Sequence, residues 1–343
     1  MSTYFSIAFG IASKNQKNEW LEAFYPAPIF EPSNDIIQCI KNHMDIGAGN
    51  RVIELTKEIA NTLSKALESI NSTQAQVLKS LNAGDKTLIL CALESDSEPK
   101  STPEVYLKLH LLSHRLVKPH ETNLNGMFPL LPNVAWTNQG AIDLAELSQR
   151  QIQARLNGEV LEVKSVDKFP KLTDYVVPSE VRIAHTARIR LGAYLGKGTT
   201  IMHEGFVNFN AGCEGPNMIE GRISAGVFVG GGSDLGGGCS TMGTLSGGND
   251  VRISVGKDCL LGANSGLGIP LGDRCTVEAG LYITGGSKVE LLDDQNQITQ
   301  TVKAATLSGK NDLLFIRHSL SGAIQCRTNK SAIALNEELH SHN

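Results

Sequence analysis

Aromatic side chains are scarce in this chain, only 5% of 343 residues, so its core does not rest on the usual aromatic bulk. Basic charge is not in surplus either. Thirty-one Lys and Arg stand against 35 Asp and Glu, a formal net charge of −4, which argues against a nucleic-acid partner held through its phosphates. No apolar run approaches the roughly 18 uninterrupted residues of a membrane helix, and the opening MSTYFSIAFGIASKN lacks the basic region and small-residue cleavage site of a signal peptide. No membrane association is expected, and the chain reads as soluble and cytoplasmic. Cysteines stand at 39, 91, 213, 239, 259, 275 and 326, with no CxxC pair and no spacing that a disulfide framework or a zinc site would impose. Seven reduced thiols are expected.

Hydrophobic residues at 41% against 19% charged exclude a disordered chain and leave room for two or three domains. Glycine is abundant and unevenly placed, with 25 of the 34 between residues 181 and 290. The composition therefore predicts an N-terminal α/β domain over 1–180, a glycine-rich domain over 181–290, and a C-terminal β cap with a polar tail over 291–343. In the first part, the apolar start Tyr4 to Ile11 precedes a helix-like stretch from Val52 to Ile70. A strand is expected over Thr87 to Leu93, then a helix opened by Thr102-Pro103-Glu104, where proline suits the first turn. Another helix is expected over roughly Ala141 to Leu156, stopped at Asn157-Gly158.

The middle part repeats. Ile183, Ile189, Leu195, Ile201, Val207, Cys213 and Ile219 follow at intervals of six, with small residues four places after most of them. A four-residue step resets the frame to Ile223, Val229, Leu235 and Thr241. After the glycine-rich insertion Met242 to Ser254, Val255, Leu261 and Leu267 resume at six, and a second four-residue step leads to Leu271, Val277, Ile283 and Val289. Neither the helical nor the strand period explains a repeat of six. A triangular coil of short parallel strands does: three hexads make one turn, equivalent aliphatics stack at about 4.8 Å, and roughly six coils result. Glycine then serves the corners. Gly230-Gly231-Gly232 and Gly236-Gly237-Gly238 stay in this register and match neither GxGxxG nor a P-loop.

Hexads of this kind resemble the left-handed parallel β-helix acyltransferases, trimeric enzymes with acyl-CoA or acyl-carrier donors. The segments IMHEGFVNFNAG, MIEGRISAGVFVGGGSDLGGG, MGTLSGGND, CLLGANSGLGIPLGD, VEAGLYIT and LSGKNDLLF narrow the likeness to the tetrahydrodipicolinate N-succinyltransferases. The resemblance is strong over 181–325 and looser across the N-terminal region. It implies transfer of succinyl from succinyl-CoA to the amino group of ring-opened L-tetrahydrodipicolinate in lysine and diaminopimelate biosynthesis, by a homotrimer with active sites between subunits. The rivals are another CoA-dependent N-acyltransferase of the same fold and a non-catalytic solenoid scaffold.

Site residues carry over by position. Glu220 in MIEGR matches the family's catalytic glutamate, as general base or as the site of an acyl-anhydride; the plain alternative is a solvated outward residue. Arg222, on the same face of an extended strand, would contact a carboxylate or CoA. Gly237, Ser240, Ala263, Glu278, Ala279, Gly286, Lys303, Arg317, His318 and Ser319 match CoA-contacting positions, with Ile316 standing where the family carries a basic residue. Asn208 and Asn210 would bind substrate or form a structural ladder. Glu204 matches an acidic residue at the trimer axis that can hold a divalent ion such as Mg2+, although its family companion falls at Ala187 here. His185 and His203 lie one coil apart; without a third histidine between 181 and 290 they do not make a catalytic zinc site, and His203 stays an alternative general base. The loop Gly243 to Asp250 is expected to cover an active site formed by two chains. LLDDQNQITQ reads as a hairpin, and LLFIR and SGAIQCR as capping strands.

Overall fold

The computed structural model describes residues 4–243 and 251–328. The expectations for 244–250 and for the tail 329–343 fall outside the described residues. Contacts divide the chain into two compact units, one of residues up to 117 with 121–170 and 174–176, the other of 118–120, 171–173 and the chain from 177 onward.

In the first unit an antiparallel sheet runs in the order Trp20–Phe24, Ser6–Lys14, Thr87–Leu93, Arg51–Leu55, with Ile29–Phe30 also on Ser6–Lys14. The helices Asn34–His43, Lys57–Leu67 and Ser72–Leu81 share one core with it, built on Ile37, Ile40, Leu63, Leu67, Leu78 and Leu90. The strand Thr87–Leu93 forms as expected. The helix expected from Val52 does not begin there. Thr56 caps it by accepting from the Ile59 amide at 3.2 Å, and the β-branched Val52 and Ile53 before it pair with Thr87–Leu93 as a strand. Asp143 makes the same correction downstream: Gly140–Asp143 is a strand, and the Asp143 carboxylate accepts from the Ala145 amide at 2.9 Å to open the helix Leu144–Leu156. The helix Thr102–Ser113 is buried along its whole length.

Its His110 imidazole is fully buried, with Nδ1 donating to the Tyr106 carbonyl at 2.7 Å and Nε2 accepting from the Tyr25 amide at 3.3 Å. Both ring nitrogens are used by the neutral form.

In the second unit the hexads become three flat faces. Along the first, Ile183, Ile201, Ile219, Leu235, Leu261 and Val277 lie in parallel register, and Phe315 continues the column. Val207, Ile223, Thr241, Leu267 and Ile283 form the second column, and Leu195, Cys213, Val229 and Val255 the third. Apart from the half-buried Ile183, these side chains are between 0% and 3% exposed, one continuous core. The expected hairpin is the pair Lys288–Leu292 and Ile298–Lys303; Leu313–Arg317 and Ile324–Thr328 extend the first-face sheet beyond Val277. All seven cysteines are free and buried. Among the described residues no helix is long and apolar enough to cross a membrane.

Burial lowers the His110 pKa from 6.5 to about 3, and burial lowers that of His114 as well. The unfolded chain takes up a proton between about pH 6.5 and 3 that the folded chain refuses, so stability is full above this window and falls as pH drops through it. Denaturant unfolding from pH 8 to 5 is expected to show that decline. His110→Gln should remove one proton's share of the slope, about 1.4 kcal/mol per pH unit; an unchanged slope would contradict it.

Candidate active site

Each coil crosses from the first face to the second through a corner, and these corners stack into one edge. Five residues turn the corner between Leu235 and Thr241, but only Glu220, Gly221 and Arg222 connect Ile219 to Ile223. The four-residue step noted in the sequence is this contracted corner. Its backbone is held by the next coil: the Glu220 amide donates to the Leu235 carbonyl and the Arg222 amide to the Cys239 carbonyl, both at 2.8 Å. Gly221 is obligatory here, because a Cβ would lie 2.3 Å from Cys239 Sγ and 2.7 Å from its carbonyl oxygen. Glu220 is half-buried, and its Oε2 lies 3.6 Å from where a Cβ on Gly237 would stand. Arg222 points outward, and its Nη2 donates to Ser240 Oγ at 2.6 Å. The Cys239 thiol behind this corner is no competing nucleophile, since burial pushes its pKa up to about 12.

Beyond Glu220 the edge is nearly bare of side chains. Gly237, Ala263 and Ala279 follow in successive coils, tied by the Asn264 amide on the Gly237 carbonyl at 2.9 Å and the Gly280 amide on the Ala263 carbonyl at 2.8 Å. A Cβ on Gly236 would meet the Leu261 carbonyl at 2.7 Å, and one on Gly262 the Ala279 amide at 2.4 Å. The smooth ledge ends at Glu278, whose Oε2 accepts from the Arg317 amide at 2.7 Å. Arg317 Nη1 donates to the Gly322 carbonyl at 3.2 Å, and His318 Nδ1 accepts from the Ser321 amide at 3.1 Å. From Glu220 to Arg317 is four coil steps, about 19 Å at ~4.8 Å each.

The parallel register thus brings Glu220, Arg222, Gly237, Ser240, Ala263, Glu278, Ala279 and Arg317 onto one edge, and His318 and Ser319 follow in the exposed turn after it. Gly286 and Lys303 are exposed but lie past Tyr282–Thr284, beside the bonds from the Ala304 amide to Ser287 and the Ala305 amide to Gly285, not in the stacked corners. Asn208 and Asn210 occupy a different edge of this chain, between the second and third faces. Asn208 Oδ1 accepts from Arg190 Nη1 at 3.2 Å, and Asn210, with φ +49°, accepts from the His120 amide at 2.9 Å. They shape a corner and do not ladder.

Glu204 lies on the Glu220 edge one coil earlier. Its pKa is lowered by the His203 Nδ1 contact at 2.8 Å and then by Arg188, whose Nη1 is 3.6 Å away. The His185 and His203 rings meet edge to face, centroids 5.1 Å apart. A lone carboxylate already facing an imidazole and a guanidinium does not fit a magnesium ion within one chain, and no cluster of three metal-ligating side chains occurs among the described residues. Tyr282, which the hexad pattern did not single out, lays its ring over Gly266 on the outer second face.

A 2,3,4,5-tetrahydropyridine-2,6-dicarboxylate N-succinyltransferase of Pseudomonas paraeruginosa is 62% identical over 339 residues, covering 99% of this chain and 98% of the relative. The chain belongs to the tetrahydrodipicolinate N-succinyltransferase family. The Vibrio cholerae enzyme of the same name is 53% identical, with 99% of each chain covered. Family models for the tetrahydrodipicolinate N-succinyltransferase N-terminal and middle regions match 31–129 and 131–171, and the hexapeptide repeat of succinyl-transferase matches 252–285. A Campylobacter jejuni crystal structure described as a 2,3,4,5-tetrahydropyridine-2-carboxylate N-succinyltransferase superposes with a TM-score of 0.89 at 35% identity, over 97% of this chain and 94% of the other. The fold is an α/β N-terminal region followed by the left-handed parallel β-helix of this acyltransferase family.

The ledge separates two kinds of glycine in this tetrahydrodipicolinate N-succinyltransferase family member. Gly237→Val meets only the Glu220 carboxylate, so the melting temperature should hold while acyl transfer drops at least tenfold. Gly262→Ala drives a Cβ into the Ala279 backbone and should lower the melting temperature by several degrees. Thermal melts and initial rates on both variants check this; full activity in folded Gly237→Val would contradict the ledge as a binding surface.

Proposed function

We propose that the protein transfers the succinyl group of succinyl-CoA to the free amino group of ring-opened L-tetrahydrodipicolinate, giving N-succinyl-2-amino-6-oxopimelate and CoA, as a cytoplasmic homotrimer in lysine and diaminopimelate biosynthesis. The observation that carries the reading is the ledge itself: Gly237, Ala263 and Ala279 in successive coils between Glu220 at one end and Arg317, its amide held by Glu278, at the other, four coil steps or about 19 Å apart. It suits an extended pantetheine arm. Backbone groups along Gly237, Ala263 and Ala279 bind the arm, and Arg317, His318 and Ser319 take the phosphate end, with Lys303 and Gly286 as further contacts. The thioester then lies beside Glu220.

In the direct route the amine nitrogen attacks the thioester carbonyl carbon, the C–S bond breaks, an amide forms, and CoA leaves as the thiol. Glu220 accepts the proton that the amine must lose and passes it to the departing thiolate. In the alternative route the Glu220 carboxylate first displaces CoA to make a mixed anhydride, which the amine then opens. Arg222 and Ser240 hold carboxylate groups beside the reacting centre. Asn208 and Asn210 reach the site in this reading only from a neighbouring copy, because their own chain carries them on another edge. The trimer supplies that neighbour.

Glu220→Gln tests the reading. A neutral isostere neither accepts a proton nor carries an acyl group, so turnover should fall by at least about a hundredfold while CoA affinity and the trimer, read by calorimetry and sedimentation, are kept. Wild-type-like turnover would contradict the role of Glu220.

A further inference from the structure

The outward residues of the second face form a single row: Phe206, Arg222, Ser240, Gly266 and Tyr282, one per coil in parallel register. Gly266 leaves a slot in the row, and the Tyr282 ring fills it. A Cβ on Gly266 would stand 2.0 Å from Cδ2 and Cε2 of that ring and 2.4 Å from Cγ, so the ring lies flat across the glycine with its edge running from coil to coil towards Ser240. Among the described residues the Tyr282 hydroxyl has no hydrogen-bond partner, and the residue is 46% exposed. On the far side of Ser240, Arg222 has one Nη engaged with Ser240 Oγ and the rest of its guanidinium exposed. Three donors of different reach therefore stand in one row: guanidinium, alcohol and phenol. Arg222, the first of the three, stands at the corner that carries Glu220.

We infer that Tyr282 is a specificity-determining residue for the acyl donor, its hydroxyl donating to the terminal carboxylate of a dicarboxylic acyl group whose charge Arg222 neutralises. The inference rests on the reading that succinyl-CoA is the donor, and adds a residue and a reason for preferring a carboxylate-ended acyl chain. A planar carboxylate offers two oxygens with several lone pairs, enough to take Arg222 on one and the phenol on the other. An acetyl group offers neither, and leaves Arg222 and Tyr282 facing water. Gly266 belongs to the device: any side chain there would lift the ring out of the row.

The test compares succinyl-CoA and CoA affinity by calorimetry in the wild type, Tyr282→Phe and Gly266→Ala, with wild-type succinyl-CoA turnover measured alongside. Tyr282→Phe keeps the ring and removes only the hydroxyl, so CoA should bind unchanged while succinyl-CoA weakens about tenfold, as for the loss of a hydrogen bond to a charged group. Gly266→Ala displaces the ring and should give the same loss, and the double variant should add nothing to it. Wild-type affinity for succinyl-CoA in Tyr282→Phe would overturn the inference, as would an equal loss for CoA, which would make Tyr282 part of the arm's binding surface instead. A wild type that binds but does not turn over succinyl-CoA with the acceptor would overturn the donor assignment itself, an outcome separate from an active wild type with an indifferent Tyr282→Phe.

Discussion

Parallel stacking of one coil on the next is the constraint from which the rest follows. Each strand residue donates and accepts along the solenoid axis, as when the Gly236 amide binds the Leu261 carbonyl and the Gly262 amide the Val277 carbonyl, both at 2.8 Å. Coils held this closely leave no freedom of register. Ile219, Leu235, Leu261 and Val277 must superpose, and whatever stands at the corners must superpose as well. A core made of aliphatic columns needs no aromatic bulk, which accounts for the low aromatic content.

The same constraint makes the edge a surface with chemistry. Where corners approach within van der Waals contact of the next coil, side chains are excluded, and Gly221, Gly236 and Gly262 are there because a Cβ would overlap backbone or the Cys239 sulfur. Excluding side chains leaves a smooth ledge with its backbone groups accessible. Shortening one corner by two residues, between Ile219 and Ile223, puts Glu220 and Arg222 at the end of that ledge, with Cys239 packed behind them as a protonated thiol. Structure and site have one cause: the glycines that permit stacking also clear the path along which a long, flexible donor can lie.

Much of this was legible in the sequence because a period of six is a strong signal; the columns from Ile183 to Ile283 were read correctly, including both four-residue steps. Phe315 was missed as the next member of the first column, because the hairpin between Lys288 and Lys303 intervenes and the spacing no longer counts in sixes. In the N-terminal unit, apolar spacing alone carried the helix back to Val52, whereas Thr56 ends the strand and caps the helix, a local hydrogen bond that periodicity does not report. Glu220 and the ledge residues came from resemblance, and the register explains why residues so far apart in sequence lie on one edge. Asn208 and Asn210, expected to bind substrate or form a ladder, turn a different corner of their own chain. The pairing of Glu204 with Arg188, and the placing of Tyr282 over Gly266, depend on which coil stacks on which and had no signature in the one-dimensional pattern.

The most direct measurement of the account is CoA release, followed with a thiol reagent, from succinyl-CoA with and without L-tetrahydrodipicolinate. The account predicts rapid release that requires both compounds together. Tight binding of CoA without release in their joint presence would contradict it, and would leave the ledge as a CoA-binding surface serving a different amine.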